Sequence, residues 1–128
     1  MKKSRLIALL AIILVFSMFF QSCDKFNDLD IVGTWQFVLK ISGETILATY
    51  TFTGSKDSGH VIWDSEDVGT YSVSGDQVNF TIYYYDTNND YTTEAYTGTI
   101  DDRYDMHGTF VYTVQGHNPV SGSWAAGR

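Results

Sequence analysis

The stretch VGTYSVSGDQVNFTIYYY, residues 68–85, decides the fold. Two runs rich in Val, Tyr, Phe, Ile and Thr, 68–74 and 77–85, are parted by a single Gly-Asp pair. In the second run Val78, Phe80, Ile82 and Tyr84 alternate with Gln77, Asn79 and Thr81. Alternation of this kind across a two-residue turn signals a β-hairpin with one apolar face. An isolated hairpin is barely stable in water, so the apolar face calls for further strands.

The flanking sequence supplies them. From Ile31 onward there is one proline, Pro119, and no helical period, but six more strand-like segments: 32–41, 45–53, 60–64, 91–100, 105–114 and 120–126. Their connectors, SGE, GSKDSG, SED, DTNND, DDRY and QGHNP, are short, which makes consecutive strands antiparallel neighbours in an up-and-down meander. Alternation puts Trp35, Phe37, Leu39 and Ile41 on one face of the first segment and Ile46, Ala48, Tyr50 and Phe52 on one face of the second. In the seventh it sets Met106, Phe110, Tyr112 and Val114 against His107, Thr109 and Thr113. Eight one-sided strands with no helix to cover them bury their apolar faces against one another, and closure removes the exposed edges. The expected fold is all-β: a small eight-stranded antiparallel up-and-down β-barrel spanning 31–128. GTW at 33, GTY at 69, GTI at 98, GTF at 108 and GSW at 122 recur irregularly. A missing side chain before a large one suits strands that curve or approach closely.

The first thirty residues have another character. Lys2, Lys3 and Arg5 precede a run from Leu6 to Phe20 that only Ser17 interrupts, followed by Gln21, Ser22 and Cys23, the one cysteine of the 128 residues. A basic start, a short apolar run and a small residue at the end read as a secretory signal peptide, 1–22, that is removed. Phe20-Gln21-Ser22-Cys23 resembles the lipobox of bacterial lipoproteins, which implies that Cys23 becomes a lipidated N-terminus, that 23–30 is a tether, and that the protein is lipid-anchored in the bacterial cell envelope. Which membrane and which side stay open. With its thiol acylated, the domain would have no disulfide. Beyond the leader five Lys and Arg face fifteen Asp and Glu, a net charge of −10. That balance excludes nucleic acid as a partner, since phosphate binding needs basic clusters.

The segments IVGTWQF, GTYSVSGDQVNF and MHGTF…SGSWAAGR resemble the bacterial lipocalin-like lipoproteins, small calycin-type barrels. The resemblance covers about residues 31–128 and implies structural roles for Gly33, Trp35 and Arg128, with the Arg128 guanidinium lying over the Trp35 ring. A helix after the barrel, another lipocalin feature, is missing from the sequence.

Catalytic and metal chemistry finds little support. His60, His107 and His117 are isolated, there is no second cysteine, and no zinc spacing, nucleophile elbow or phosphate loop occurs. Asp86, Asn88 and Asp90 echo the start of a calcium loop, but Tyr91 stands where glycine belongs and no glutamate closes the set, so a turn is expected. Asp101, Asp102 and Asp105 beside Arg103 read as a solvated turn. No cofactor, no metal and no enzymatic activity are expected. Alternation aligns Glu94 with Tyr96 and Ile100, where a solvated rim is the expectation and a polar anchor for a ligand the alternative. The leading functional expectation is a small, partly apolar ligand held in the barrel by Phe37, Tyr50, Phe52, Tyr71, Tyr84, Tyr96 and Tyr112. The alternative is a solid barrel that offers an acidic, tyrosine-rich outer surface around Tyr83 and Tyr85 to an envelope protein or a glycan.

Overall fold

The computed structural model describes residues 29–128. The leader, Cys23 and most of the tether lie outside the described residues.

Eight strands follow one another with no helix between them: β1 (Gly33–Ile41), β2 (Glu44–Gly54), β3 (Ser58–Trp63), β4 (Glu66–Ser74), β5 (Gln77–Tyr85), β6 (Tyr91–Asp102), β7 (Asp105–Val114) and β8 (Val120–Gly127). Each pairs antiparallel with the next, and β8 returns to β1 from Gln36↔Gly127 to Lys40↔Ser123, which closes the barrel. The hairpin of 68–85 is β4–β5, in register from Gly69↔Ile82 to Ser74↔Gln77, with Gly75 at φ 61° in its turn. Strand β3 begins at Ser58, two residues earlier than the sequence suggests, because Gly59 pairs with Gly54 and Tyr71. Opposite Val61 and Ile62 the register shifts, leaving Val68 as an extra residue on β4 that bends that strand.

The inward rows follow the predicted parity and divide the barrel into two halves. In the lower half Phe80, Tyr96 and Phe110, directly opposed on β5, β6 and β7, form a cross-strand stack with centroids 4.3 and 5.1 Å apart. Opposite Phe110 on β8 stands Gly122, where a Cβ would come within 2.7 Å of the Phe110 ring. Gly98 and Gly108 pair face to face, and a Cβ on Gly98 would lie 2.4 Å from the Trp124 ring. Gly98 and Gly122 thus make room for large rings, while Gly69 and Gly108 allow close backbone approach, in a narrow barrel whose eight strands enclose little more than side chains. Phe37 completes the cluster, 5.1 Å from Trp124.

The lower end is sealed by the segment before β1. Leu29 and Ile31 are buried, so the core begins inside the expected tether. The Trp35 indole N–H donates to the Ile31 carbonyl at 2.9 Å. Arg128 places its guanidinium 4.4 Å from the Trp35 centroid and donates to the carbonyls of Asp30, Val32 and Arg103 at 2.6, 3.0 and 2.6 Å. The terminal arginine thereby joins both chain ends to the β6–β7 turn. Gly33, at φ 134°, leaves space for it, since a Cβ there would lie 3.2 Å from the guanidinium.

Candidate functional site

The upper half is open. At the end formed by the β1–β2, β3–β4, β5–β6 and β7–β8 turns lies a pocket of about 460 Å³, within the usual size of a small-molecule site. Leu39, Ile41, Ile46 and Leu47 supply one apolar wall, Trp63 and Tyr84 another, and Phe110, Tyr112 and Val120 a third; Tyr50 and Glu94 are the polar groups deepest in it.

Each wall follows from strand geometry. Ile46 was expected inside, yet it is 44 % exposed, because the end of the β1–β2 hairpin rises to the rim, where inward parity no longer means burial; Leu47, on the outward row beside Val38, is 77 % exposed. Trp63 closes β3 and meets the Tyr84 ring edge-on, centroids 5.2 Å apart. Tyr84 and Tyr112 are half-buried for the same reason: inward by parity, near the mouth by position.

Glu94 is the unexpected element. A solvated rim was predicted, but the residue is 6 % exposed and its two carboxylate oxygens accept from different hydroxyls, Oε1 from Tyr96 and Oε2 from Tyr84. With the Tyr96 proton directed at Glu94, the 3.1 Å contact between the Tyr50 and Tyr96 hydroxyls has Tyr50 as donor. The result is one directional chain: Tyr50 to Tyr96 to Glu94, and Tyr84 to Glu94 from the other side. Burial, followed by the neighbouring Tyr50 and Glu94 charges, pushes Tyr96 far above the usual phenol range. Tyr50 is raised by burial and then by Glu94, and Tyr84 by burial and then by its hydrogen bond to Glu94. All three phenols therefore remain neutral donors through the physiological range.

Of the seven aromatic residues expected to line a ligand site, Tyr50, Tyr84 and Tyr112 border this pocket. Phe37, Phe52, Tyr71 and Tyr96 are buried in the packed lower half, where the rings fill the lumen. Sequence reasoning did not select Leu39, Ile41, Trp63 or Val120; their common signal is a large apolar residue at a strand terminus on the same end of the meander. In the β5–β6 loop Asp86 Oδ1 accepts from the backbone N–H groups of Asn88 and Asp90, each at 2.9 Å, so this carboxylate is engaged in shaping the turn. Among the described residues no group of three His, Cys, Asp or Glu could hold a metal ion. Outside the barrel Tyr91 lies between Tyr83 and Tyr85, with centroids 6.2 and 5.5 Å away.

No protein-family model and no curated protein matches the chain. Two solved structures resemble it. One, described as EF1p2_mFAP2b bound to DFHBI, has a TM-score of 0.63 and 15% sequence identity, covering 81% of this chain and 97% of its own. The other, a redesigned β-barrel, b11L5F_LGL, has a TM-score of 0.58 and 19% identity, covering 81% of this chain and 95% of its own. At these identities the likeness is one of fold: a small closed β-barrel.

Proposed function

We propose that this chain is a bacterial, lipocalin-like lipoprotein, anchored in the cell envelope through lipid on Cys23, that binds a small, partly apolar molecule in the open end of its barrel. The observation that carries the binding reading is the pocket of about 460 Å³, apolar on three sides with two polar groups at its base, in a fold otherwise packed solid. A solved barrel of similar fold holds a bound molecule, DFHBI, which agrees with that use of the architecture. The role is binding rather than catalysis: the carboxylate in the pocket is held by two tyrosine hydroxyls, with no nucleophile beside it. Because the chain enters the barrel at the sealed end, a lipid on Cys23 would leave the mouth facing away from the membrane.

Native mass spectrometry of the protein purified from its host envelope tests this. Acyl chains on Cys23 and a reproducible bound small molecule are expected, the latter lost when Ala48, on the pocket wall, is replaced in Ala48→Trp. A bare polypeptide mass in every preparation refutes the binding reading, and an intact Met1 refutes the anchor.

The outer tyrosine row supports a second reading. Tyr83, Tyr85 and Tyr91 are 47, 66 and 39 % exposed and lie ring against ring, a surface suited to a protein or glycan partner. On that reading Tyr83→Ser with Tyr85→Ser abolishes capture of envelope partners without lowering the melting temperature; unchanged capture disposes of it.

A further inference from the structure

The proposed binding role leaves the ligand's chemistry open, and the position of Glu94 narrows it. A carboxylate 6 % exposed is expensive to bury without a counter-charge. Both hydrogen bonds it receives are donated to it by neutral hydroxyls, an acceptor-only arrangement that suits the ionised form. No basic side chain lines the pocket, and the ion pairs among the described residues, His60 with Asp67 and His107 with Asp101, are on the outer surface. The carboxylate nevertheless belongs to the pocket wall, and each of its oxygens keeps a second acceptor position beyond the one tyrosine hydroxyl it receives.

The charges around the mouth point the same way. The turns at this end carry Glu44, Asp64, Glu66, Asp86 and Asp90. Lys56, Arg103 and Arg128 belong to the opposite end, and Lys40, near the mouth, is exposed on the outward row of β1. His117 borders an adjoining cleft together with Asp86 and Asp90. Low-dielectric walls lined by one sign of charge focus the field and concentrate ions of the opposite sign. The rings of Trp63, Tyr84 and Tyr112 add electron-rich surface of the kind that attracts ammonium groups.

We propose that the pocket selects a small organic cation, an aliphatic or aryl-alkyl ammonium whose charged head meets Glu94 while its hydrocarbon part lies against Leu39, Ile41 and Phe110. This rests on the binding role proposed above. The head group replaces the missing counter-charge, and the hydrocarbon part gains by leaving water. An anionic ligand of the same shape would face Glu94 and an acidic rim.

Three probes of matched shape test the proposal: 4-phenylbutylamine, 4-phenylbutanol and 4-phenylbutyrate, titrated against the full chain with tryptophan fluorescence as the signal, since Trp63 lines the pocket. The amine is expected to bind about ten-fold or more tightly than the alcohol, a difference of roughly 1.4 kcal/mol, with the carboxylate weakest. Glu94→Gln should abolish the amine's advantage over the alcohol, with a melting curve confirming that the variant is folded. Equal binding of amine and alcohol by the wild type overturns the cation proposal and leaves the binding barrel standing. Retention of the amine preference in folded Glu94→Gln also overturns it, because the cation is then held elsewhere. Failure of all three probes to bind removes both the cation proposal and the pocket's role. If Glu94→Gln does not fold, the wild-type comparison of amine with alcohol decides, equal binding of the two overturning the proposal.

Discussion

The hydroxyl of Tyr96 is the member of the buried chain whose loss has the sharpest consequence. Tyr96→Phe keeps the ring between Phe80 and Phe110, so packing is unchanged, but removes a donor to Glu94 and the acceptor of the Tyr50 hydroxyl. A hydrogen bond to a buried charged group contributes roughly 1.5–3 kcal/mol, and an orphaned hydroxyl adds about 1 more, giving an expected loss of about 2.5–4 kcal/mol. For a domain of this size that lowers the melting temperature by about 10–30 °C. Tyr84→Phe provides the internal control. It also removes a donor to Glu94, but at the half-buried mouth, where water can take its place, so about 1 kcal/mol or less is expected. In a Glu94→Gln background Tyr96→Phe should cost about half as much as in the wild type, because the bond is then neutral. Calorimetric melting of the four variants at neutral pH gives all of these differences. A Tyr96→Phe protein that melts within a few degrees of wild type, or a Tyr84→Phe protein that is the less stable of the two, refutes a buried, ionised Glu94 as the centre of the network.

The raised tyrosines predict alkaline lability. Their folded pKa values exceed the unfolded value of 10.0, so the stabilisation is complete below that pH and is lost above it, with a slope of about 3 kcal/mol per pH unit for the buried Tyr50 and Tyr96 together and a smaller, solvent-screened contribution from Tyr84. Part of the tyrosinate absorbance should therefore appear only as the near-ultraviolet circular dichroism collapses; full ionisation with the fold intact would contradict this. Arg128→Ala should cost about 2–3 kcal/mol through the lost ring contact and carbonyl bonds, and Arg128→Lys should recover less than half, since an ammonium cannot span three carbonyls; chemical denaturation reads both. Gly108→Ala puts a Cβ 2.0 Å from the Thr97 carbonyl oxygen and should destabilise by about 3 kcal/mol or more. Gly75→Ala, in a turn with nothing within 4 Å, should cost only about 1 kcal/mol of backbone strain; similar losses in the two variants would refute the close-approach reading of the glycines.

What alternation could supply was the side of the sheet, and it supplied it well. The opposition of Val78, Phe80 and Ile82 to Gln77, Asn79 and Thr81 is the one found on β5, and the eight segments are the eight strands of the closed barrel. Parity carries no information about depth along the barrel axis, because depth depends on strand tilt and stagger around the whole circuit. Ile46 and Phe52 share a parity on β2, yet the first is at the rim and the second fully buried. Glu94 misled in the opposite direction. A charged residue in an inward row suggests a rim, and what lowers it into the wall is a pair of tyrosines, one of them ten residues away on the neighbouring strand. The recurring glycine ahead of a hydroxyl and a large apolar residue was legible as a sign of tight curvature, but the rings that occupy the vacated space come from other strands, as Trp124 over Gly98 illustrates.

The two halves of the barrel are complementary consequences of one pattern. Gly98 admits Trp124 and Gly122 admits Phe110, and these rings with Tyr96 and Phe80 fill the lower lumen and provide the floor beneath Glu94. Above that floor the inward position on β2 is the small Ala48, and a pocket opens. The sealed end receives the chain and is tied together by Arg128, while the open end carries acidic residues at its turns and no basic side chain in the pocket lining. A site that holds a charged ligand needs its counter-charge fixed before the ligand arrives, so that binding does not have to pay for ordering it. Glu94, oriented from below by Tyr96 and from the side by Tyr84, is fixed in that sense, and the solid half of the barrel is what keeps it so.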